Sequence, residues 1–172
     1  MTEAEHLYKQ AEALALQGIG REESSEARGY VRRIVDDWFR QADEEAGLER
    51  ENLFEIGLSD LRRDIEGKVG AQRLPALQML ALKPSVQRIS GRAFELARRI
   101  ADGEMTRETA ADTAAEIGTL IDGLAEDVKL LHDEEGKRLL LRSLADADLE
   151  VRFVLEEEEG AISLRLNRYL RG

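Results

Sequence analysis

Apolar side chains recur every three or four residues through the stretch from Thr106 to Glu135. The members of this seam are Ala110, Ala114, Ile117, Ile121, Leu124, Val128 and Leu131. Residues with this spacing lie on one face of a helix, and a face so uniformly apolar packs against other helices. The sequence therefore predicts a long helix over residues 106–135, ended by Gly136.

The same spacing predicts helices earlier in the chain. Residues 22–46 form the second long one, with Ala27, Val31, Ile34 and Trp38 on its inner face. At the N-terminus Thr2 and Glu5 match the capping box T-x-x-E, which predicts a helix ending near Gln17.

Shorter helices are predicted between the two long ones. Residues 47–58 are interpreted as a connection with a short helical or irregular piece, after which Ser59 caps a third helix. Pro75 suits the first turn of a fourth helix, and Lys83-Pro84 is expected to stop it. Ser85 then caps a fifth helix, which Gly103 closes.

Beyond residue 148 the period of the apolar positions changes from helical to alternating. The alternating residues are Leu149, Val151, Phe153 and Leu155, followed by Ile162, Leu164 and Leu166. Alternation on both sides of a short polar segment, here 156–160, predicts a β-hairpin. Its register would place Arg152 opposite Arg165, and two facing cations call for an anionic group nearby, supplied by the acidic 106–135 helix or by a partner.

These elements predict a mainly α fold, a bundle of five or six helices with a C-terminal β-hairpin packed on it. We expect a single domain over 1–172, with the bundle in 1–147 and the hairpin in 148–172. A length of 172 residues, of which 42% are hydrophobic and 35% charged, suits a globular protein with a core of its own.

Composition removes several classes of function. The chain has no cysteine, which excludes disulfides and thiolate chemistry. We expect neither a signal peptide nor a membrane span, and hence a cytoplasmic location. The net charge of −11 disfavours direct binding to nucleic acid. Abundant alanine and a preference for arginine over lysine point to a bacterial source.

No catalytic, cofactor-binding or metal-binding motif stands out. The only histidines are His6 and His132. Glu3 and His6 have the E-x-x-H spacing of a carboxylate-bridged metal site, but a solvated histidine fits a helix terminus better. Phosphate-binding loops and nucleophile elbows are absent from the sequence. We therefore expect no cofactor and no metal.

Two charged clusters are candidates for binding. Arg88, Arg92 and Arg99 lie on one side of the fifth predicted helix, and with Arg152 and Arg165 they could form a patch for an anion or an acidic partner. The alternative is pairing with the acidic helices of the same chain. On the 106–135 helix, Glu108, Asp112 and Glu116 form a row that is either a partner face or a solvated surface.

The sequence favours a non-enzymatic protein-interaction module: an adaptor, an antitoxin- or immunity-type inhibitor, or an assembly subunit. It would act through the acidic helical surface and the hairpin, with another protein or with itself, and we expect a homo-oligomer. One alternative is a small-ligand-binding protein or enzyme with a pocket between helices. A further alternative is an acidic mimic of nucleic acid.

Overall fold

The computed structural model describes residues 1–44, 49–69 and 72–155, and within these ranges the chain forms six α-helices and no strand. The helices are α1 (Glu3–Ala15), α2 (Arg21–Glu44), α3 (Arg50–Ile65), α4 (Arg73–Ala101), α5 (Arg107–Val128) and α6 (Glu134–Leu155). The prediction of a mainly helical fold with up to six helices is thus confirmed.

The chain divides into two compact units, with the boundary after Ala81. The first unit holds α1, α2, α3 and residues 73–81 of α4. The second begins at Leu82 and holds the remainder of α4 with α5 and α6. That the whole chain is a single domain stays a prediction.

Rings pack between α2 and α3 against the mostly aliphatic core of the first unit, with Phe54 buried and Trp38 and Phe39 half-buried. Phe39 on α2 and Phe54 on α3 pack with their ring centroids 4.9 Å apart. Next to them Trp38 covers the backbone of Gly57, so closely that a β-carbon at this position would lie 2.7 Å from the indole Cε2. Because no side chain intervenes at Gly57, α2 and α3 can approach closely at this point.

The core of the second unit combines small residues with larger aliphatic ones. All seven apolar residues of the predicted seam are buried, as the sequence indicates; six are on α5, and Leu131 follows it. The small buried residues of α5 are Ala110, Ala114, Gly118 and Ala125, and α5 is in extensive contact with α6. A β-carbon at Gly118 would meet Val151 of α6 at 3.5 Å, which is an ordinary contact.

Two predicted helix boundaries in the middle of the chain are wrong. Ser59 lies inside α3, because the buried positions Phe54, Gly57, Leu61 and Ile65 form one continuous stripe across it. Pro84 lies inside α4, so Lys83-Pro84 does not stop a helix and Ser85 does not begin one. Burial continues along α4 on both sides of the proline, at Leu82 and Val86, and this packing offsets the hydrogen bond that the ring removes.

The C-terminal prediction fails in its first half. Residues 149–155 belong to α6 and not to a strand. Val151 is buried, but Leu149 and Phe153 are 49% and 43% exposed, and the buried partners of Val151 are Asp148 and Val154 at helical spacing. The alternation therefore combined one core residue with two surface residues. The predicted turn and second strand, including Arg165, lie outside the described residues.

Caps fix several of the ends. The capping box of Thr2 and Glu5 is present. The oxygen of Thr106 accepts from the backbone of Thr109 and starts α5. At the end of α4, Gly103 has a φ of 75°, and the N–H groups of residues 103 and 104 donate to the carbonyls of Ile100 and Arg99 as in a Schellman motif.

The predicted 106–135 helix is two elements. It ends at Val128, and α6 starts after Asp133, whose carboxylate accepts from the N–H of Gly136 at 3.0 Å. An aspartate in this position satisfies an N–H that has no partner inside the helix. Gly136 is thus in the first turn of α6 and does not end the preceding helix.

None of the helices in the described ranges combines the length and apolar composition needed to cross a membrane.

Candidate functional site: an arginine-lined groove

A groove of about 420 Å³ lies between α4 and α5 in the second unit. It is lined from α4 by Arg88, Gly91, Arg92, Glu95, Leu96 and Arg99, and from α5 by Thr113 and Ile117. Leu96 and Ile117 are buried and form its apolar floor, whereas Arg92 is exposed at its rim. The groove thus offers cations above a hydrophobic base.

The spacing of the residues along α4 produces this arrangement. Arg88, Arg92, Glu95 and Arg99 follow one another at intervals of four, three and four, so they stand in one row on the helix. We call Arg88, Arg92 and Arg99 the arginine ridge. The prediction that these three arginines share one side of a helix agrees with their positions around the groove.

Gly91 is the least expected residue in the groove. A glycine inside a helix costs about 1 kcal/mol relative to alanine, and it is usually explained by close packing. A β-carbon at Gly91 would meet nothing within 4 Å, so internal packing does not require the glycine. Its absent side chain leaves bare backbone between Arg88 and Arg92, where a ligand can approach the helix.

The carboxylate in the groove is already engaged by a neighbouring arginine. Glu95 accepts two hydrogen bonds from Arg98, the shorter one 2.7 Å long. Arg98 also donates to Asp102 at 2.7 Å and to Glu104 at 3.4 Å. The hydrogen bond from Arg98 lowers the pKa of Glu95, and the bond to Glu95 is the largest cause of the raised pKa of Arg98. Glu95 is therefore directed to Arg98, outside the ridge.

The three arginines of the ridge differ in how they are engaged. Arg99 lies 3.7 Å from Glu104, and its side chain is 43% exposed. Arg88 also interacts with another group of the protein. Arg92 makes no hydrogen bond or ion pair with any residue that the structure describes. Arg92 is consequently the cation of the ridge most accessible to a partner.

The predicted acidic row lies on the neighbouring helix. Glu108, Asp112 and Glu116 are all exposed on α5, and within the described part of the chain none of them forms a hydrogen bond or ion pair. Asp112 precedes Thr113 directly and Glu116 follows it by one turn, so these two lie beside the groove, whereas Glu108 lines a second cavity near α6. The arginine ridge and this acidic row are therefore adjacent, but they do not neutralise each other.

The other predicted arginines are elsewhere. Arg152 is on α6, where its Nε lies 3.4 Å from an oxygen of Asp148. The side chain of Asp148 is only 1% exposed and that of Arg152 13%, so this ion pair belongs to the interior of the unit. Since 149–155 is helical, Arg152 does not face another cation across a ladder. Arg165 lies outside the described residues.

A second cavity, of about 400 Å³, lies where α5 begins and α6 ends. It is lined by Ile100, Met105, Thr106, Arg107, Glu108, Ala111, Val154 and Leu155. Arg107 stacks over the ring of Phe153 at 4.7 Å and donates to its carbonyl. Besides Arg107, the only charged residue in the described part of the chain that lines this cavity is Glu108, so the cavity lacks the row of cations that distinguishes the α4/α5 groove.

The sequence indicates the arginines of the groove but not its other lining residues. Gly91 interrupts a helical pattern, which is a recognisable signal, and the pair of Glu95 and Arg98, three residues apart on one helix, is a local signal too. The place of Thr113 could not be predicted from one sequence, because it depends on which helix lies beside α4.

Among the residues in 1–44, 49–69 and 72–155 no three acidic or histidine side chains converge in a way that could hold a metal ion. Comparison of the chain with protein-family models, with curated proteins and with solved structures gave no significant match.

Proposed function

We propose that this protein is a non-enzymatic protein-interaction module, an adaptor, inhibitor or assembly subunit, whose contact surface consists of the arginine ridge and the acidic row on α4 and α5. One observation carries the proposal: Arg92, Glu108, Asp112 and Glu116 are exposed on adjacent helices and form no ion pair with the described residues. Charged rows of opposite sign on one surface favour recognition of a polypeptide with complementary charges.

The dimensions favour a polypeptide over a compact ligand. Arg92 and Arg99 are seven residues apart on a helix, or about 10 Å along its axis. Carboxylates about 6 Å apart on a partner helix could reach Arg88 and Arg92, and one about two turns further along could reach Arg99. Each exposed pair contributes only about 0–1 kcal/mol, so binding requires several pairs together with apolar contact on Leu96 and Ile117.

The alternative of a small-ligand-binding protein is supported by the groove itself. A volume of about 420 Å³ falls within the range of ligand pockets, and arginines above an apolar floor suit a small amphipathic anion. The acidic-mimic alternative has less support. A mimic of nucleic acid needs an extended face of one sign, and the arginine ridge beside the acidic row interrupts it.

Calorimetric titration with two synthetic helical peptides tests the proposal. One peptide carries glutamate at every fourth position beside a row of leucines, and the other carries glutamine in place of glutamate. We expect binding of the glutamate peptide only, weakened by salt and weakened about tenfold or more by Arg92→Glu. Arg28→Glu on α2 changes the net charge equally and serves as the control.

Equal binding of both peptides, or binding that Arg92→Glu leaves unchanged, contradicts the proposal. Heat released by a small dicarboxylate or inorganic phosphate, without any by the glutamate peptide, favours the small-ligand alternative.

A further inference from the structure

The two charged rows occupy matching heights on their helices. Residues 102–106 connect α4 to α5, and so short a connection makes neighbouring helices antiparallel. Arg99 and Glu108 are both near the connection. Arg92 precedes the end of α4 by nine residues, and Glu116 follows the start of α5 by nine residues. Glu116 is therefore level with Arg92, and Glu108 with Arg99.

We infer that this surface binds a second copy of the same chain, related by a twofold axis that runs parallel to α4 and α5. Such an axis places α4 of each copy over α5 of the other. Arg92 then faces Glu116 of the second copy, and this contact occurs twice. The inference rests on the proposed function and names the partner.

Charge complementarity is the argument for a second copy. Arg92 and Glu116 are each nine residues from the helix end at the α4/α5 connection, about 14 Å along the axis, so both copies of this contact can form together. A twofold interface requires a surface that is complementary to itself, and adjacent rows of opposite sign meet this requirement. The carboxylates of the row make no pair within the described residues, although the ridge is on the next helix.

Leu120 adds an apolar component to the same surface. It follows Ile117 by three residues on α5, so it extends the floor of the groove towards solvent, and it is 40% exposed. A copy of α4 lying over α5 would cover it.

Sedimentation equilibrium of charge-reversal variants tests the inference. We expect the unmodified protein to dimerise, and Arg92→Glu and Glu116→Arg each to raise the dimer dissociation constant by about 100-fold, because like charges then face each other twice. An equimolar mixture of the two variants should form a heterodimer of near-original affinity, since every facing pair in it is again of opposite sign. Arg28→Glu should leave the dimer intact.

Rescue in the mixture separates loss of the contact from loss of folding, because misfolded variants could not restore each other. A dimer that persists in both variants, or two variants that stay monomeric when mixed, overturns the inference. A monomeric protein that still binds the glutamate peptide overturns the second copy as partner and leaves the proposed function standing. If the protein binds neither the glutamate peptide nor a second copy of itself, both the inference and the proposed function are wrong.

Discussion

The two units differ in the side chains at one close helix contact in each. In the first unit rings lie between α2 and α3, with Phe39 against Phe54 and Trp38 against the backbone of Gly57. In the second unit Gly118 of α5 lies against Val151 of α6, and the phenylalanine rings of its described part, Phe94 and Phe153, are half-exposed. A ring buries a large area in one contact, whereas a seam of small residues depends on many short contacts along its length.

The difference predicts which substitutions each unit tolerates. Where rings are in contact, as in the first unit, losing a ring or introducing a clash with one should destabilise the fold most. A small-residue seam should accept an added methyl group where the facing side chain leaves normal contact distance. Three comparisons of matched substitutions test this contrast, beginning with the largest effect.

Removing a ring from the first unit should cost far more than removing one from the second. Phe54→Ala deletes a buried ring that also lies under the guanidinium of Arg50, 5.7 Å away. We expect a loss of about 3–5 kcal/mol in the free energy of unfolding, measured in urea by circular dichroism. Phe94→Ala, at a half-exposed position, should cost no more than about 0.5 kcal/mol. Similar losses from the two would remove the contrast between the units.

Adding one methyl group to a helical glycine should have opposite effects in the two units. At Gly57 it would lie 2.7 Å from the Trp38 ring and 3.0 Å from two further ring atoms. Gly57→Ala should therefore destabilise by about 1–3 kcal/mol, partly offset by better helix propensity. Gly118→Ala meets Val151 at 3.5 Å and should range from neutral to about 1 kcal/mol more stable. A neutral Gly57→Ala would mean that the indole moves away at little cost.

The smallest effect concerns pH and a ring at the margin of the first unit. The pKa of Tyr8 is raised from 10.0 to about 12. Burial is the largest cause, and the hydrogen bond that the Tyr8 hydroxyl donates to Asp36 is the second. Since the folded pKa lies above the unfolded one, this contribution is fully present below pH 10 and is lost as the pH rises through about 12. Against Tyr8→Phe the advantage should be about 1 kcal/mol or less at neutral pH.

Urea unfolding of both proteins at increasing pH checks this. The difference in unfolding free energy should be constant below pH 10 and shrink from there to about pH 12. A difference in unfolding free energy that does not change over this interval would mean that ionisation of the Tyr8 hydroxyl does not affect folding.

The helical periodicity of apolar residues was enough to predict the buried seam of α5, and local motifs were enough to predict the cap at Thr2 and the helix end at Gly103. These local signals misplaced boundaries where tertiary packing prevails. A proline reliably ends a helix only where no packing beyond it stabilises a further turn. In α4, Leu82 and Val86 are buried on either side of Pro84. The alternation after residue 148 misled because Leu149 and Phe153 are apolar residues on the surface.

The charged residues of the candidate site could be predicted from the sequence, but not which of them pair with one another. Helical spacing brings Arg88, Arg92 and Arg99 to one side of α4, and sequence alone is sufficient for that. It could not decide whether the ridge neutralises the acidic row, because the answer depends on side-chain directions on two adjacent helices. In the structure the ridge lines the groove, Asp112 and Glu116 lie next to it on α5, and the ridge and the row form no ion pair with each other.

The contact between Trp38 and Gly57 has a spectroscopic consequence. Trp38 is the only tryptophan of the chain and belongs to the first unit. Its fluorescence reports the loosening of α2 from α3, whereas helical ellipticity reports both units together. Coincident denaturation curves from the two signals would mean that the units unfold as one cooperative body, and separate midpoints would mean that each unit has a stability of its own.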